Sequence, residues 1–188
     1  KIQVVVSNFA SYDFLRAIIG DNDNIELKYL LGPGKDAHSY DPTANDLITI
    51  QNSDLFVYVG GEMEKWTDKV LDSMENKNMK IICISKDIDT IEEQEIDGAE
   101  PEDEEVEGAF DEHIWTSPDN AIAMVNTLEK VMEEIDKENS EKYQKNAENY
   151  ITQIKQVDSK IKEVVDNKVR DRLVFADKMP MQYFMNYY

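Results

Sequence analysis

The fold of this chain follows from residues 2–31, which read IQVVVSNFASYDFLRAIIGDNDNIELKYLL. Residues 2–6 and 25–31 are short apolar runs of the kind that form buried strands. Between them, over residues 11–19, apolar side chains recur at helical spacing and predict an amphipathic helix. The chain is therefore predicted to open with a strand, a helix and a second strand.

The same alternation continues to residue 138. It predicts further strands at residues 55–59 and 81–84, and helices at residues 41–51, 62–74 and 118–138. Continuous apolar strands that alternate with helices predict an α/β fold, with a parallel sheet covered by helices on both faces. The loops that carry function in such sheets gather at the carboxyl ends of the strands.

A long helix is predicted from residue 141 to residue 167, about 40 Å at 1.5 Å per residue. Its apolar residues alternate steps of four and three, which is the heptad pattern. They are Tyr143, Ala147, Tyr150, Ile154, Val157, Ile161 and Val164. The helix is either half of a coiled-coil dimer or a strut along its own domain. Residues 173–176 then predict a strand and residues 181–188 the start of another helix, so we expect a truncated form of a longer protein.

The chain is strongly acidic. Forty acids against twenty bases give a formal charge of −20 and a sequence pI near 4.3. Such a surface repels phosphate backbones and anionic lipid headgroups, which excludes nucleic acid as a partner. Ten of the acids and no base lie in residues 92–107. This acidic segment is predicted to be a solvated loop, and the alternative is a loose cation-collecting arm.

The two histidines of the chain lie in loops that are built alike. His38 precedes Asp41-Pro42 and His113 precedes Ser117-Pro118, and both dipeptides are typical of a helix start. Neutral imidazole is a good ligand for zinc and other borderline divalent ions. We therefore predict that His38 and His113 share one metal ion and supply half of the four ligands that zinc usually takes.

Four acids flank these histidines, and they are Asp36, Asp41, Asp111 and Glu112. Because the N-terminus of a helix carries partial positive charge, a cation beside it needs nearby carboxylates. We expect the four acids to offset that charge and to orient the imidazole rings through hydrogen bonds.

Catalytic motifs are missing from the sequence: it contains no G-x-S-x-G, H-E-x-x-H, G-x-G-x-x-G or C-x-x-C pattern. We therefore predict binding rather than catalysis. Two alternatives stay open. One is a metal-dependent hydrolase with Glu112 as its general base. The other is a dimeric interaction module built on the long helix.

Three segments in combination resemble a known family. They are Gly-Pro-Gly-Lys-Asp-Ala-His-Ser-Tyr-Asp-Pro at 32–42, Val-Tyr-Val-Gly-Gly-Glu-Met-Glu-Lys-Trp at 57–66 and Asp-Glu-His-Ile-Trp-Thr-Ser-Pro at 111–118. The chain is similar to the zinc- and manganese-specific solute-binding proteins of ABC transporters, metal-binding lipoproteins that include adhesin-type members. The similarity extends over essentially the whole sequence.

The resemblance implies two α/β lobes joined by one long rigid helix, with the ion in the cleft between them. The N-terminal lobe would span residues 1–138, the linker helix 139–170, and residues 171–188 would begin a second lobe that is otherwise absent. The implied function is capture of Zn(II), with Mn(II) as the alternative, and delivery to an ABC permease. The implied location is extracytoplasmic, at the cell surface or in the periplasm, with a lipid anchor on the precursor.

The chain departs from the family at the third ligand. The family places His or Glu five residues before a tyrosine equivalent to Tyr183, where this chain has Lys178, a cation with no lone pair to offer. The resemblance to members with an Asp-Lys or Asp-Arg pair makes Asp177 the candidate third ligand. Because the remaining ligand would lie in the absent lobe, we expect weak metal binding by the chain as given. Residues 179–188 carry aromatic surface that the absent lobe would otherwise cover, which predicts a homodimer.

Overall fold

A computed structural model of the chain describes residues 1–32, 34–35, 37–94, 108–175 and 179–188. The described residues form one parallel four-stranded sheet in the order β2-β1-β3-β4, which confirms the predicted fold class. The strands are β1 (Ile2–Val6), β2 (Ile25–Tyr29), β3 (Leu55–Tyr58) and β4 (Lys80–Cys83).

Helices cover both faces of the sheet. The helices of the structure are α1 (Phe9–Ile19), α2 (Ala44–Gln51), α3 (Trp66–Ser73), α4 (Pro118–Ile135), α5 (Ser140–Asp166) and α6 (Gln182–Tyr187), with short 3-10 turns at Glu62–Glu64, Ile84–Asp87, Ile114–Thr116 and Lys137–Asn139. Alternate residues of β1 point to opposite faces. Val4 and Val6 pack into the core beneath α1, α4 and α5, whereas Val5 packs beneath α2 and α3.

The start of α2 differs from the prediction. The helix begins at Ala44 with Thr43 as its N-cap, so the prediction that Asp41-Pro42 opens it is wrong. The Thr43 hydroxyl accepts from the Asp46 N–H at 3.3 Å, and the Asp46 carboxylate accepts from the Thr43 N–H at 2.9 Å. This reciprocal capping box satisfies two backbone donors at once and fixes the start. The predicted start of α4, with Pro118 after the N-cap Ser117, is confirmed.

The first half of the heptad seam on α5 packs on its own lobe. Tyr143 and Ala147 are 0% and 3% exposed, whereas Val157 and Val164 farther along are 55% and 72% exposed. The Tyr143 hydroxyl donates to the Asp136 carboxylate at 2.6 Å, which ties α5 to the end of α4. The contacts of this half favour the strut, while the homodimer and the domain boundaries at residues 138 and 170 stay predictions.

The segment after α5 is only partly as predicted. The helix near the end of the sequence is confirmed as α6. Of the predicted strand 173–176, residues 173–175 belong to no strand, and Ala176 lies outside the described residues. Leu173, Val174 and Phe175 are exposed, since none of the described strands lies beside them. Within the described ranges, no helix is both long enough and apolar enough to cross a bilayer.

Candidate metal centre

The structure brings the two histidines together. The ring centres of His38 and His113 are 5.6 Å apart, and the ring planes are inclined by 38°. Two imidazoles on one tetrahedral zinc, each bound at about 2.1 Å, have ring centres about 5 Å apart. His38 follows β2 and His113 lies just before the Ile114–Thr116 turn and α4. The separation of the two rings therefore suits a shared ion.

Asp111 holds the ring of His113. One carboxylate oxygen, Oδ1, accepts from the His113 backbone N–H at 2.8 Å and lies 2.8 Å from His113 Nδ1. A carboxylate at this nitrogen favours the tautomer with the proton on Nδ1 and the lone pair on Nε2. Trp115 packs against the same ring, edge to face, at 5.7 Å. Asp111 thus occupies the orienting position that the sequence predicts for it.

Glu112 faces a different partner. Its Oε1 accepts from the Met63 N–H at 2.8 Å, and the side chain is buried. Gly61 (φ +82°) makes room for it, because a Cβ at that position would lie 2.5 Å from the Glu112 Cγ. The carboxylate therefore ties the His113 loop to the loop after β3. This contact does not support Glu112 as the general base of a hydrolase.

Glu64, in the loop after β3, is a buried carboxylate to which the sequence reasoning assigned no role. Its side chain is 4% exposed, and Oε2 accepts from the N–H groups of Val59 at 2.7 Å and Gly60 at 2.9 Å. Burial raises the pKa of the Glu64 carboxyl, and the charge of Glu112 adds to this rise. The sequence signal that could have indicated this role is an acid that follows a glycine turn, as Glu64 follows Gly60-Gly61. Such a turn leaves backbone N–H groups without partners, and a nearby carboxylate can accept from them.

The loop of His38 is anchored beside the histidine. The Tyr40 ring packs edge to face on Trp66 at 5.6 Å, and the Thr43–Asp46 capping box fixes the chain a few residues later. His38 and Asp41 are exposed. The predicted role of Asp41 as an orienting partner of His38 stays a prediction.

Several predicted site residues lie outside the described part of the chain. Asp36 and Asp177 are among them. Lys178 and most of the acidic segment, residues 95–107, also lie outside the described residues. Among the residues that the structure does describe, no set of three or more His, Cys, Asp and Glu side chains is arranged to hold a metal ion. The described part of the site therefore consists of two imidazoles, of which the His113 ring is oriented by Asp111, and it does not form a closed coordination sphere.

Tyr183 of α6 reaches the His113 loop, and its neighbour Gln182 contacts the backbone of Glu92 and Gln94. The sequence reasoning did not include either of them as a site residue. The Tyr183 hydroxyl donates to the Asp111 carbonyl oxygen at 2.7 Å. Burial raises the pKa of Tyr183 to about 12, so the hydroxyl stays protonated at neutral pH and remains a donor.

The chain matches known proteins over most of its length. Residues 4–188 match the family model of ZnuA, the periplasmic zinc-uptake complex component A. The zinc-binding lipoprotein AdcA of Streptococcus pneumoniae is 34% identical over 84% of this chain, which spans 32% of that protein.

Two solved structures show the same fold. The Zn(II)-bound ZnuA-like domain of Streptococcus pneumoniae AdcA superposes on all of this chain with a TM-score of 0.78 at 29% identity, and 64% of that domain is covered. A Mn-bound periplasmic metal-binding protein from Candidatus Liberibacter asiaticus gives a TM-score of 0.75 at 27% identity, covering 91% of this chain and 59% of that protein. Since the family model matches nearly every residue, the chain belongs to the zinc-uptake complex component A (ZnuA) family.

Proposed function

We propose that the chain is the part of an extracytoplasmic solute-binding protein that captures Zn(II) through His38 and His113 and delivers it to an ABC permease. The observation that carries the proposal is the 5.6 Å separation of the two imidazole rings at the carboxyl edge of the parallel sheet. The hydrogen bond from His113 Nδ1 to Asp111 supports it, since metal-binding histidines nearly always have such a partner. This function requires metal–ligand bonds to form and break, but no covalent bond of a substrate to be made or broken.

The chemistry of the donors favours zinc over manganese. Imidazole suits zinc, whereas Mn(II) prefers carboxylate, carbonyl and water oxygens. Asp177 is the proposed third ligand, and Asp36 and Asp41 are proposed to orient His38. Mn(II) remains the alternative cargo because a related protein of the same fold is Mn-bound.

The relatives support the proposed location and partner. The family description names a periplasmic component of a zinc-uptake complex, and AdcA is named a lipoprotein. An external position, a lipid anchor on the precursor and a membrane permease that receives the ion are consistent with these names.

Metal titration of the 188-residue chain tests the capture of the ion. By calorimetry we expect one zinc per chain. We expect the affinity for Mn(II) to be at least about 10-fold weaker, because nitrogen ligands generally bind Mn(II) more weakly than Zn(II). Cys83→Ser is the matched control, because Cys83 is the one cysteine of the sequence and, with the two histidines, completes its thiol and imidazole groups. This variant should bind zinc as tightly as the wild type. Zinc binding that survives unchanged in a His38→Ala/His113→Ala double variant would contradict the proposal.

A further inference from the structure

We propose that Tyr183 and Gln182 are positioning residues of the metal site, because they hold the loop stem that carries Asp111, and Asp111 holds the His113 ring. The loop stem consists of residues 91–94 and 109–111, which lie on either side of residues 95–108 in sequence. This inference rests on the proposed function, in which His113 is a metal ligand.

The loop stem is a short antiparallel pair of segments. Glu92 and Phe110 form an isolated β-bridge, and the Glu93 N–H donates to the Ala109 carbonyl at 3.0 Å. From the second segment the chain continues directly through Glu112 to His113. A displacement of the stem would therefore be transmitted to the histidine.

Tyr183 replaces one of the hydrogen bonds of this pair. The Asp111 N–H donates to the Ile91 carbonyl at 3.0 Å, and an antiparallel pair would normally return a bond from the Ile91 N–H to the Asp111 carbonyl. Instead, the Tyr183 hydroxyl accepts from the Ile91 N–H at 3.2 Å and donates to the Asp111 carbonyl at 2.7 Å. The hydroxyl thus sets the spacing of the two segments at Asp111.

Gln182 holds the outer edge of the same stem. Its Nε2 donates to the Glu92 carbonyl at 2.7 Å, and its Oε1 accepts from the Gln94 N–H at 3.2 Å. One side-chain amide thereby satisfies a carbonyl and an N–H as a neighbouring strand would. Gln182 is 2% exposed, so these bonds are sheltered from water.

Asp111 connects the loop stem to the imidazole ring of His113. Asp111 is 4% exposed, and its Oδ1 contacts both the backbone N–H and Nδ1 of His113 at 2.8 Å. Because one oxygen makes both contacts, a shift of the Asp111 backbone changes the Nδ1 hydrogen bond. Tyr183 is therefore placed to control which nitrogen of His113 carries the proton.

Tyr183→Phe tests this, since it removes only the bridging hydroxyl. With ¹⁵N-labelled histidine the chain gives two ring signal sets, and His38→Asn assigns them. In zinc-free protein, about two pH units above the ordinary histidine pKa, wild-type His113 should carry its proton on Nδ1. In Tyr183→Phe the ring should shift towards the Nε2–H tautomer, and zinc affinity should fall about 10- to 100-fold.

Tyr187→Phe is the matched control on the same helix. The Tyr187 hydroxyl contacts the Lys162 ammonium at 2.9 Å and the Asp158 carboxylate at 3.3 Å, not the loop stem. This variant should leave both the His113 tautomer and the zinc affinity unchanged.

An unchanged His113 tautomer in folded Tyr183→Phe would overturn the inference, as would a loss of zinc affinity without a change of tautomer. If Tyr183→Phe does not fold, Gln182→Met is judged by the same two measurements. The tautomer is measured without metal, so a wild-type chain that binds no zinc would refute the proposed function separately.

Discussion

Replacing either His38 or His113 with Ala should lower the zinc affinity of the chain by more than about 100-fold. Removing an outer hydrogen-bond partner of a metal ligand already costs about 10- to 100-fold, and the loss of the ligand itself costs more. The two rings are 5.6 Å apart, so each variant leaves the ion with one imidazole in place of two. Competition with a zinc chelator measures the affinities.

A shared ion also predicts how the two replacements combine. Because neither imidazole alone holds the ion tightly, the His38→Ala/His113→Ala double variant should lose little more than either single variant. Two independent sites would instead give single variants that each keep one tight zinc. That stoichiometry would contradict the shared site, whereas Cys83→Ser should bind like wild type.

Gly61→Ala should lower the free energy of unfolding by about 2–4 kcal/mol, the sum of backbone strain and overpacking. Gly61 has φ +82° and ψ −168°, a conformation that is essentially restricted to glycine. The added Cβ would also lie 2.5 Å from the Glu112 Cγ, in a buried contact that cannot open freely. Glu112 precedes His113 directly, so zinc affinity should fall as well. Urea denaturation and a zinc titration measure the two effects.

Gly108→Ala is the matched control for Gly61→Ala. Gly108 has nearly the same φ, +84°, but no atom of the described residues lies within 4 Å of a Cβ placed there. Gly108→Ala should therefore lower the free energy of unfolding only by the backbone strain, about 1 kcal/mol, and it should leave zinc binding unchanged. Equal effects of the two substitutions would show that the contact between Gly61 and Glu112 contributes nothing.

The sequence was sufficient to predict the sheet and the proximity of His38 and His113. Apolar runs that alternate with helical patterns leave few arrangements other than a covered parallel sheet. The loops at the carboxyl ends of parallel strands meet at one edge. For this reason two similar loops far apart in sequence could be assigned to one site.

The roles of individual carboxylates were less predictable. Asp111 and Glu112 have the same charge and adjacent positions, and the sequence predicts the same role for both. In the structure Asp111 contacts His113, whereas Glu112 accepts from the Met63 N–H. Partners that are distant in sequence decide this difference, and the same is true of Tyr183, whose contacts to Ile91 and Asp111 no local pattern indicates.

Two local errors have physical causes. At α2, a proline signal in Asp41-Pro42 competed with the capping box of Thr43 and Asp46, and the reciprocal hydrogen bonds of the box determined the start. At residues 173–175, the apolar run resembles a strand, but a strand also requires a neighbour for its backbone hydrogen bonds. Composition alone does not reveal whether such a neighbour is present.

The central claim, that one ion binds to both His38 and His113, is tested most directly by ¹⁵N-histidine NMR during a zinc titration. The two rings are the entire histidine content of the chain, so each can be followed separately. A shared ion predicts that ring nitrogens of both residues change in the same step and stop changing at one zinc per chain. A response from only one ring, or two successive steps at different zinc ratios, would contradict the shared site.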